Sequence, residues 1–228
     1  MEKNGGNSTI RDMTSGSPVK LIIQFMIPMF LGNIFQQFYN IADSIVAGQF
    51  LGVRALAAIG STGSLMFFVT GWLNGLSSGF AILVAQWFGA KKYDRIRQGY
   101  RISFGILTIW GLIITAAFVL LPRPISGLFF HDPESLGISV NYLIIIGFCE
   151  AFMAIELMTI GALSGLGMTK LCSIISIILT GARIPLAMLL THAGMGLNGI
   201  WWALSLTSIV KGIIFTLTFR QTSRTKLN

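Results

Sequence analysis

Six long apolar runs restrict this chain to very few folds. A helix needs about 20 apolar residues to cross the hydrocarbon core of a bilayer, and each run supplies them. The runs span residues 20–48, 55–88, 102–121, 136–163, 171–190 and 197–219. Because lipid offers no hydrogen bonds to the backbone, each run is predicted to be helical. The sequence therefore predicts an all-α integral membrane protein with six transmembrane helices.

The composition supports a membrane class and argues against nucleic acid as a partner. Of the 228 residues, 54% are hydrophobic and 11% are charged, and the mean hydropathy is +0.76. A soluble domain of this size does not have such a composition. The formal net charge is +8, but most of the basic residues lie between the apolar runs and not on an aromatic-laced surface. We expect the lipid bilayer as a partner and no nucleic acid.

The positions of Lys and Arg predict the orientation. They are concentrated in the N-terminal segment, in the connection at residues 91–101 and in the C-terminal tail. The positive-inside rule places these three segments, and so both termini, in the cytoplasm. We predict a cytoplasmic segment at residues 1–18, a six-span bundle at 19–220 and a cytoplasmic tail at 221–228. The protein is expected to be a multi-pass protein of the plasma membrane.

Ionisable residues inside the apolar runs indicate a transport pathway. They are Asp43, Glu150, Glu156 and Arg183. A charge near the bilayer centre costs ~2.5 kcal/mol or more, so such residues usually face a wet cavity or a partner. This pattern is typical of transporters.

Amide and hydroxyl side chains recur at helical spacing along the first run. They are Asn33, Gln36, Gln37, Asn40 and Ser44, and Asp43 lies at the edge of the same stripe. Lipid cannot satisfy these groups, so the stripe is assigned to a substrate cavity, together with Asn74 of the second run. The alternative for each amide is a hydrogen bond that holds helices together. Asp43 is assigned to ion coupling because a carboxylate can bind a proton or Na⁺.

The glycines and prolines of the runs predict packing and bending. Gly71, Gly75 and Gly79 are spaced by four residues, which lets a neighbouring helix approach the backbone closely. Pro28 and Pro185 each remove a helical donor, so we predict a bend at both positions.

The fourth and fifth runs predict a helical hairpin that turns at residues 165–169. Counting back from this turn places Glu150 and Arg183 within ~3 Å of the same depth, which predicts an ion pair between them. The pair is either fixed or opens when a proton or substrate arrives. Glu156 has no obvious basic partner, so it is either protonated or exposed to an inner cavity.

No catalytic or metal site is predicted. Cys149 and Cys172 are interpreted as small buried hydrophobic residues, and His131 and His192 have no second ligand at metal spacing. The chain has no nucleotide-binding loop and no nucleophile with an orienting partner, so we do not expect an enzyme.

Several segments resemble the multidrug and toxic compound extrusion (MATE) family. FQQFYNIADSIVAGQFLGVRALAAIGSTGS at residues 35–64 is similar to its first span and following loop. AQWFGAKKYDRIRQGYR at 85–101 resembles the end of its second helix. GARIPLAMLL and GLNGIWWALSLTSIVKG resemble its closing helices. The similarity extends from about residue 12 to the end of the chain, and the order of the motifs makes the match specific.

The resemblance implies export of cationic or amphiphilic drugs in exchange for H⁺ or Na⁺, by alternating access between two six-helix bundles. It implies ion coupling at Asp43, a cavity wall at Gln37 and Asn40, a small-molecule substrate and no cofactor. Family members have about twelve spans in two related halves. Here the residues before about 86 resemble the first half, whereas those from 93 onward resemble the second.

This arrangement leaves four alternatives. The chain is a half-size transporter that works as a parallel homodimer, an inactive and internally deleted remnant, or a non-transporting membrane scaffold. A transporter of lipid-linked substrates is the fourth, since such proteins share a similar helix architecture. Asp43 argues against the scaffold, because a bundle without a pathway has little reason to keep a carboxylate in lipid.

Overall fold

The computed structural model describes the backbone of residues 17–226. Within this range, the side chains of residues 18, 25, 29, 32, 35, 36, 39, 40, 42–62, 64, 65, 197 and 226 are not described. The described chain consists of helices and contains no strand. The helices are α1 (Pro18–Gly89), α2 (Tyr93–Leu120), α3 (Pro122–Gly127), α4 (Pro133–Gly165), α5 (Thr169–Leu190) and α6 (Gly196–Lys226), with a π-helical turn at Thr191–Met195 between the last two.

The all-α membrane fold is confirmed. Five segments of the described residues are long and apolar enough to cross a bilayer. They are Met66–Gly89, Tyr93–Leu120, Pro133–Gly165, Thr169–Met195 and Asn198–Thr225. The first predicted span, residues 20–48, is not among these five segments, and about half of its side chains lie outside the described set. The count of six, the orientation and the segment boundaries therefore stay predictions.

Helix α1 departs from the sequence-based expectation. Two helices separated near Arg54 were predicted, but the backbone is helical from Pro18 to Gly89 without interruption. The intervening segment at residues 49–54 contains one glycine and no proline, so no residue in it forces a helix to end. At 1.5 Å per residue the 72 residues extend about 108 Å, so only part of α1 can lie in a ~30 Å hydrocarbon core.

Helix α4 is the centre of the bundle. It packs along α1, α2 and α6, whereas α5 packs mainly on α6 and α1. One apolar core joins these helices, and it contains Leu73 and Val84 of α1, Leu107 of α2, Met158 and Leu163 of α4, and Phe215 of α6. The second half of α4 is therefore largely buried inside the bundle.

Glycines of α4 allow α1 to approach closely. A Cβ on Gly161 would lie 2.6 Å from the Ser77 carbonyl oxygen, and one on Gly165 would lie 2.5 Å from that of Ala81. The hydroxyl of Ser77 donates to the Leu157 carbonyl over 2.6 Å. Glycine is therefore required on the α4 side of this contact.

The glycines predicted for packing have a different environment. Gly71, Gly75 and Gly79 are exposed on α1, and a Cβ at any of them would meet no atom within 4 Å. Within the described part of the bundle, no helix therefore lies close to these three glycines. Their use as a packing surface stays a prediction, and it would need another bundle as the partner.

The two prolines lie inside helices, as predicted. The Ser173 hydroxyl of α5 donates to the Pro28 carbonyl of α1 over 2.7 Å, which ties these two helices together. Pro185 lies exposed inside α5. The predicted bends at Pro28 and Pro185 stay predictions. After α5, Gly194 (φ 91°) and Gly196 (φ 53°) adopt backbone conformations that favour glycine, and they reverse the chain into α6.

Candidate functional site

Two buried charges of opposite sign meet in the middle of the bundle. The Lys211 Nζ of α6 lies 3.5 Å from the Glu156 Oε1 of α4. The side chains are only 5% and 9% exposed, respectively. Helices α4 and α6 pack along one another, so the pair is held between two apolar surfaces. In such surroundings each charge depends on the other, because neither can recover the hydration it has lost.

Arg183 adds a third helix to this site. Its side chain is 3% exposed, and its Nε donates to the Thr207 hydroxyl of α6 over 2.8 Å. The Thr207 hydroxyl in turn donates to the Ala203 carbonyl, 2.8 Å away. Arg183 also lies close enough to Glu156 and to Lys211 to interact electrostatically with both. We call Glu156, Arg183, Thr207 and Lys211 the charge cluster.

Glu150 lies in the same interior but in a different electrostatic situation. It is 1% exposed, and neither carboxylate oxygen has a hydrogen-bond partner among the described residues. Glu150 lies six residues before Glu156 on α4, and its neighbour Cys149 is fully buried. A buried carboxylate that accepts no hydrogen bond is a position where a proton or a cation could supply the missing partner.

The predicted ion pair between Glu150 and Arg183 does not form. Counting residues from the turn estimates depth along the helices, but it ignores which sides of the helices face each other. Helix α5 packs mainly on α6 and makes little contact with α4, so Arg183 points its Nε at Thr207 of α6. The prediction that Glu156 lacks a basic partner is also wrong, since Lys211 supplies one.

The predicted polar stripe of the first run is only partly described. Asn33 and Gln37 are exposed on α1, and so is Asn74, whose Nδ2 donates to the Thr70 carbonyl of its own helix over 2.9 Å. The side chains of Gln36, Asn40, Ser44 and Asp43 lie outside the described residues. Their assignment to a cavity and to ion coupling stays a prediction.

Sequence reasoning missed Lys211, which completes the cluster. The signal was present, because Lys211 interrupts the sixth apolar run between Ile209-Val210 and Gly212-Ile213. It meets the same criterion that identified Glu150 and Arg183. The buried hydroxyl of Thr207 gave no such signal, since threonine is common in membrane helices.

Cys149 and Cys172 are buried free thiols. Among the described residues, no group of three or more His, Cys, Asp or Glu side chains could hold a metal ion.

Comparisons with known proteins provide a context for this geometry. The family model described as MatE matches residues 28–189. Probable multidrug resistance protein YoeA of Bacillus subtilis is 24% identical over 202 residues, which cover 86% of this chain and 44% of that protein. Probable multidrug resistance protein NorM of Thermotoga maritima is 32% identical over 152 residues, covering 64% and 31%.

Solved structures share the fold. An outward-facing multidrug resistance MATE family transporter of the MOP superfamily superposes with a TM-score of 0.84 at 22% identity, covering 90% of this chain and 45% of that chain. The bent form of the Vibrio cholerae MATE transporter VcmN gives a TM-score of 0.80 at 20% identity. The chain thus spans less than half the length of these relatives and structures.

Proposed function

This chain belongs to the MatE family, the multidrug and toxic compound extrusion family that its motifs resemble, and on that premise we propose that it exports cationic or amphiphilic compounds in exchange for H⁺ or Na⁺. Family members are transporters and not enzymes, in agreement with the expectation from the sequence. The chain is a multi-pass protein of the cell membrane. The relatives that are named as probable multidrug resistance proteins support a drug as the small-molecule substrate.

The observation that carries the proposal is the buried carboxylate of Glu150, six residues before Glu156 on α4. Ionisable groups are retained inside membrane proteins mainly where ions or substrates pass. Glu156, Lys211 and Arg183 compensate one another, whereas Glu150 accepts no hydrogen bond from the described residues. Glu150 is therefore the described residue best suited to bind a cation or a proton during the transport cycle.

Asp43 is proposed as the second coupling site, on α1. The family resemblance assigns an acidic residue of the first span to this role, with Gln37 and Asn40 in the cavity wall. Two carboxylates on different helices, Asp43 on α1 and Glu150 on α4, would let ion and substrate binding be coupled through a change in helix packing. No cofactor is required, because the ion gradient drives the exchange.

A second copy of the chain is proposed to supply the other bundle of the transporter. The match covers 45% of a solved transporter, and parallel copies related by a two-fold axis reproduce the relation between parallel repeats. Gly71, Gly75 and Gly79 support this arrangement, because they form an exposed stripe on α1 with no atom within reach of a Cβ. A facing helix could approach this stripe closely.

Transport in proteoliposomes tests the function. Efflux of a fluorescent cation is measured under an imposed pH or Na⁺ gradient for the wild type, Asp43→Asn, Glu150→Gln and Glu134→Gln. Glu134 is an exposed carboxylate in the first turn of α4, so its variant is the matched control for Glu150. We expect Asp43→Asn to abolish exchange, Glu150→Gln to slow it strongly and Glu134→Gln to leave it unchanged.

Two results would contradict the proposal. Full transport by Asp43→Asn at several pH values and Na⁺ concentrations would remove the coupling role of this residue. Absence of transport by a correctly inserted wild-type protein would favour the inactive remnant or the scaffold. Single-molecule photobleaching in liposomes tests the homodimer, and one copy per active unit would exclude it.

A further inference from the structure

A cavity of about 620 Å³ opens where the beginning of α2 meets the end of α6. Its volume lies in the range of small-molecule sites, which is roughly 300–1,000 Å³. Four arginines line it, two from each helix, and the other lining residues are aromatic or carry a hydroxyl. The lining comprises Arg97, Tyr100, Arg101, Phe104, Thr216, Phe219, Arg220, Ser223 and Arg224.

The charged side chains that line this cavity are all basic. None of the described residues that line it is acidic. Asp94 at its edge lies 3.9 Å from Arg97, and the Asp94 carboxylate is almost fully exposed. Such an exposed pair contributes little energy, and the described residues include no ion-pair partner of Arg101 or Arg220. The cavity therefore attracts an anion.

The shape of the cavity is fixed by its inner wall. Tyr100 stacks on Phe219 with ring centroids 3.7 Å apart and planes 12° apart, and its hydroxyl lies 3.0 Å from that of Thr159. Arg97 Nη2 donates to the Ser223 carbonyl over 3.2 Å, which joins α2 to α6 across the cavity. The arginines thus project from a rigid base, so less conformational freedom is lost when a ligand binds.

We propose that this cavity binds the phosphate of an anionic phospholipid head group. Arginine guanidinium groups match the oxygens of a phosphate in geometry and charge, and basic pockets between membrane helices bind such head groups. The neighbouring turns supply a surface for the acyl chains, since Ile102, Ile106 and Leu217 are each more than half exposed. This apolar surface beside the arginines favours a lipid over a soluble phosphate, which shares the same anionic chemistry.

Native mass spectrometry in a neutral detergent tests the proposal by counting bound lipids during titration. The wild type should bind phosphatidylglycerol in preference to phosphatidylcholine. The double variant Arg101→Gln/Arg220→Gln should bind phosphatidylglycerol about tenfold more weakly or worse, because two charge-assisted contacts are lost. The control Lys92→Gln/Arg95→Gln removes the same charge from exposed residues at the same end of the bundle but outside the cavity.

Each outcome decides the assignment. Retention of wild-type affinity by the Lys92/Arg95 control supports a defined site, whereas equal losses in both double variants would reduce it to general electrostatic attraction and overturn it. Equal binding of phosphatidylcholine and phosphatidylglycerol by the wild type would also overturn it. Displacement of phosphatidylglycerol by an equal concentration of inorganic phosphate would assign the cavity to a soluble anion and overturn the lipid as its source.

Discussion

Helix α6 contributes basic residues to two regions that differ in solvent exposure, one buried and one exposed. In the interior, Lys211 is buried and lies 3.5 Å from the carboxylate of Glu156. Toward the end of the same helix, Arg220 and Arg224 are exposed in a cavity whose described lining residues include no acid. The buried cation needs a partner within the protein, because lipid and apolar side chains cannot solvate it. Arg220 is exposed, so it retains water and can exchange it for a ligand.

This contrast predicts that substitutions in the two regions affect different properties, namely stability in the first and ligand binding in the second. A change in the charge cluster should reduce stability, since it leaves another buried group without its partner. A substitution of an exposed arginine in the cavity between α2 and α6 should reduce ligand binding and leave the stability of the folded state almost unchanged. The following predictions test this contrast.

The largest effect is expected for Glu156→Gln. Removing the anion leaves Lys211 and Arg183 as buried cations, which should lower the free energy of unfolding by about 3–5 kcal/mol. Reversible unfolding in mixed micelles measures this change. The double variant Glu156→Gln/Lys211→Met should recover part of the loss, and strictly additive losses would mean that the two residues do not interact.

Thr207→Val tests the hydrogen bond between α5 and α6. Valine keeps the shape but removes the acceptor of the Arg183 Nε, so we expect a loss of about 2 kcal/mol in the same unfolding measurement. Thr218→Val is the matched control, because the Thr218 hydroxyl donates to the Ile214 carbonyl of its own helix. Equal losses in both variants would show that the interhelical bond contributes nothing specific.

Glu150→Gln should have a smaller effect on stability, although Glu150 is as deeply buried as Glu156. Its carboxylate accepts no hydrogen bond from the described residues, so the change removes no partner and should alter the free energy of unfolding by about 1 kcal/mol or less. A loss as large as that of Glu156→Gln would reveal a stabilising partner and break the distinction between the two glutamates.

The smallest effect on stability is expected for Arg101→Gln/Arg220→Gln in lipid-free detergent. Both side chains are exposed, so the free energy of unfolding should change by less than about 0.5 kcal/mol. Thermal unfolding without and with phosphatidylglycerol measures the difference. Stabilisation by this lipid should be present in the wild type and reduced in the variant. A large loss in lipid-free detergent would instead give these arginines a structural role.

The sequence predicted the membrane class and most of the spans, because hydropathy depends on residues that are close along the chain. The predicted run at 171–190 corresponds closely to α5 at Thr169–Leu190. The partners of charged side chains on other helices could not be predicted in the same way. They depend on how each helix is rotated about its axis and on which helices are neighbours. The expected partner of Arg183 was Glu150 on α4, but α5 packs mainly on α6.

The glycines show the same limitation. The regular spacing of Gly71, Gly75 and Gly79 predicted close packing, yet the contact between α1 and α4 depends on Gly161 and Gly165. Gly161 and Gly165 are also four residues apart. Spacing identifies a surface that allows close approach, but it does not identify the helix that uses it.

The pairing of Glu156 with Lys211 also imposes an order in time during synthesis. Glu156 precedes Lys211 by about 55 residues, and at roughly 5–20 residues per second the ribosome needs several seconds to add them. During this interval α4 leaves the ribosome with a carboxylate whose partner has not been made. The helices that precede α6 must therefore accommodate α4 without the ion pair, which forms only once α6 has been made.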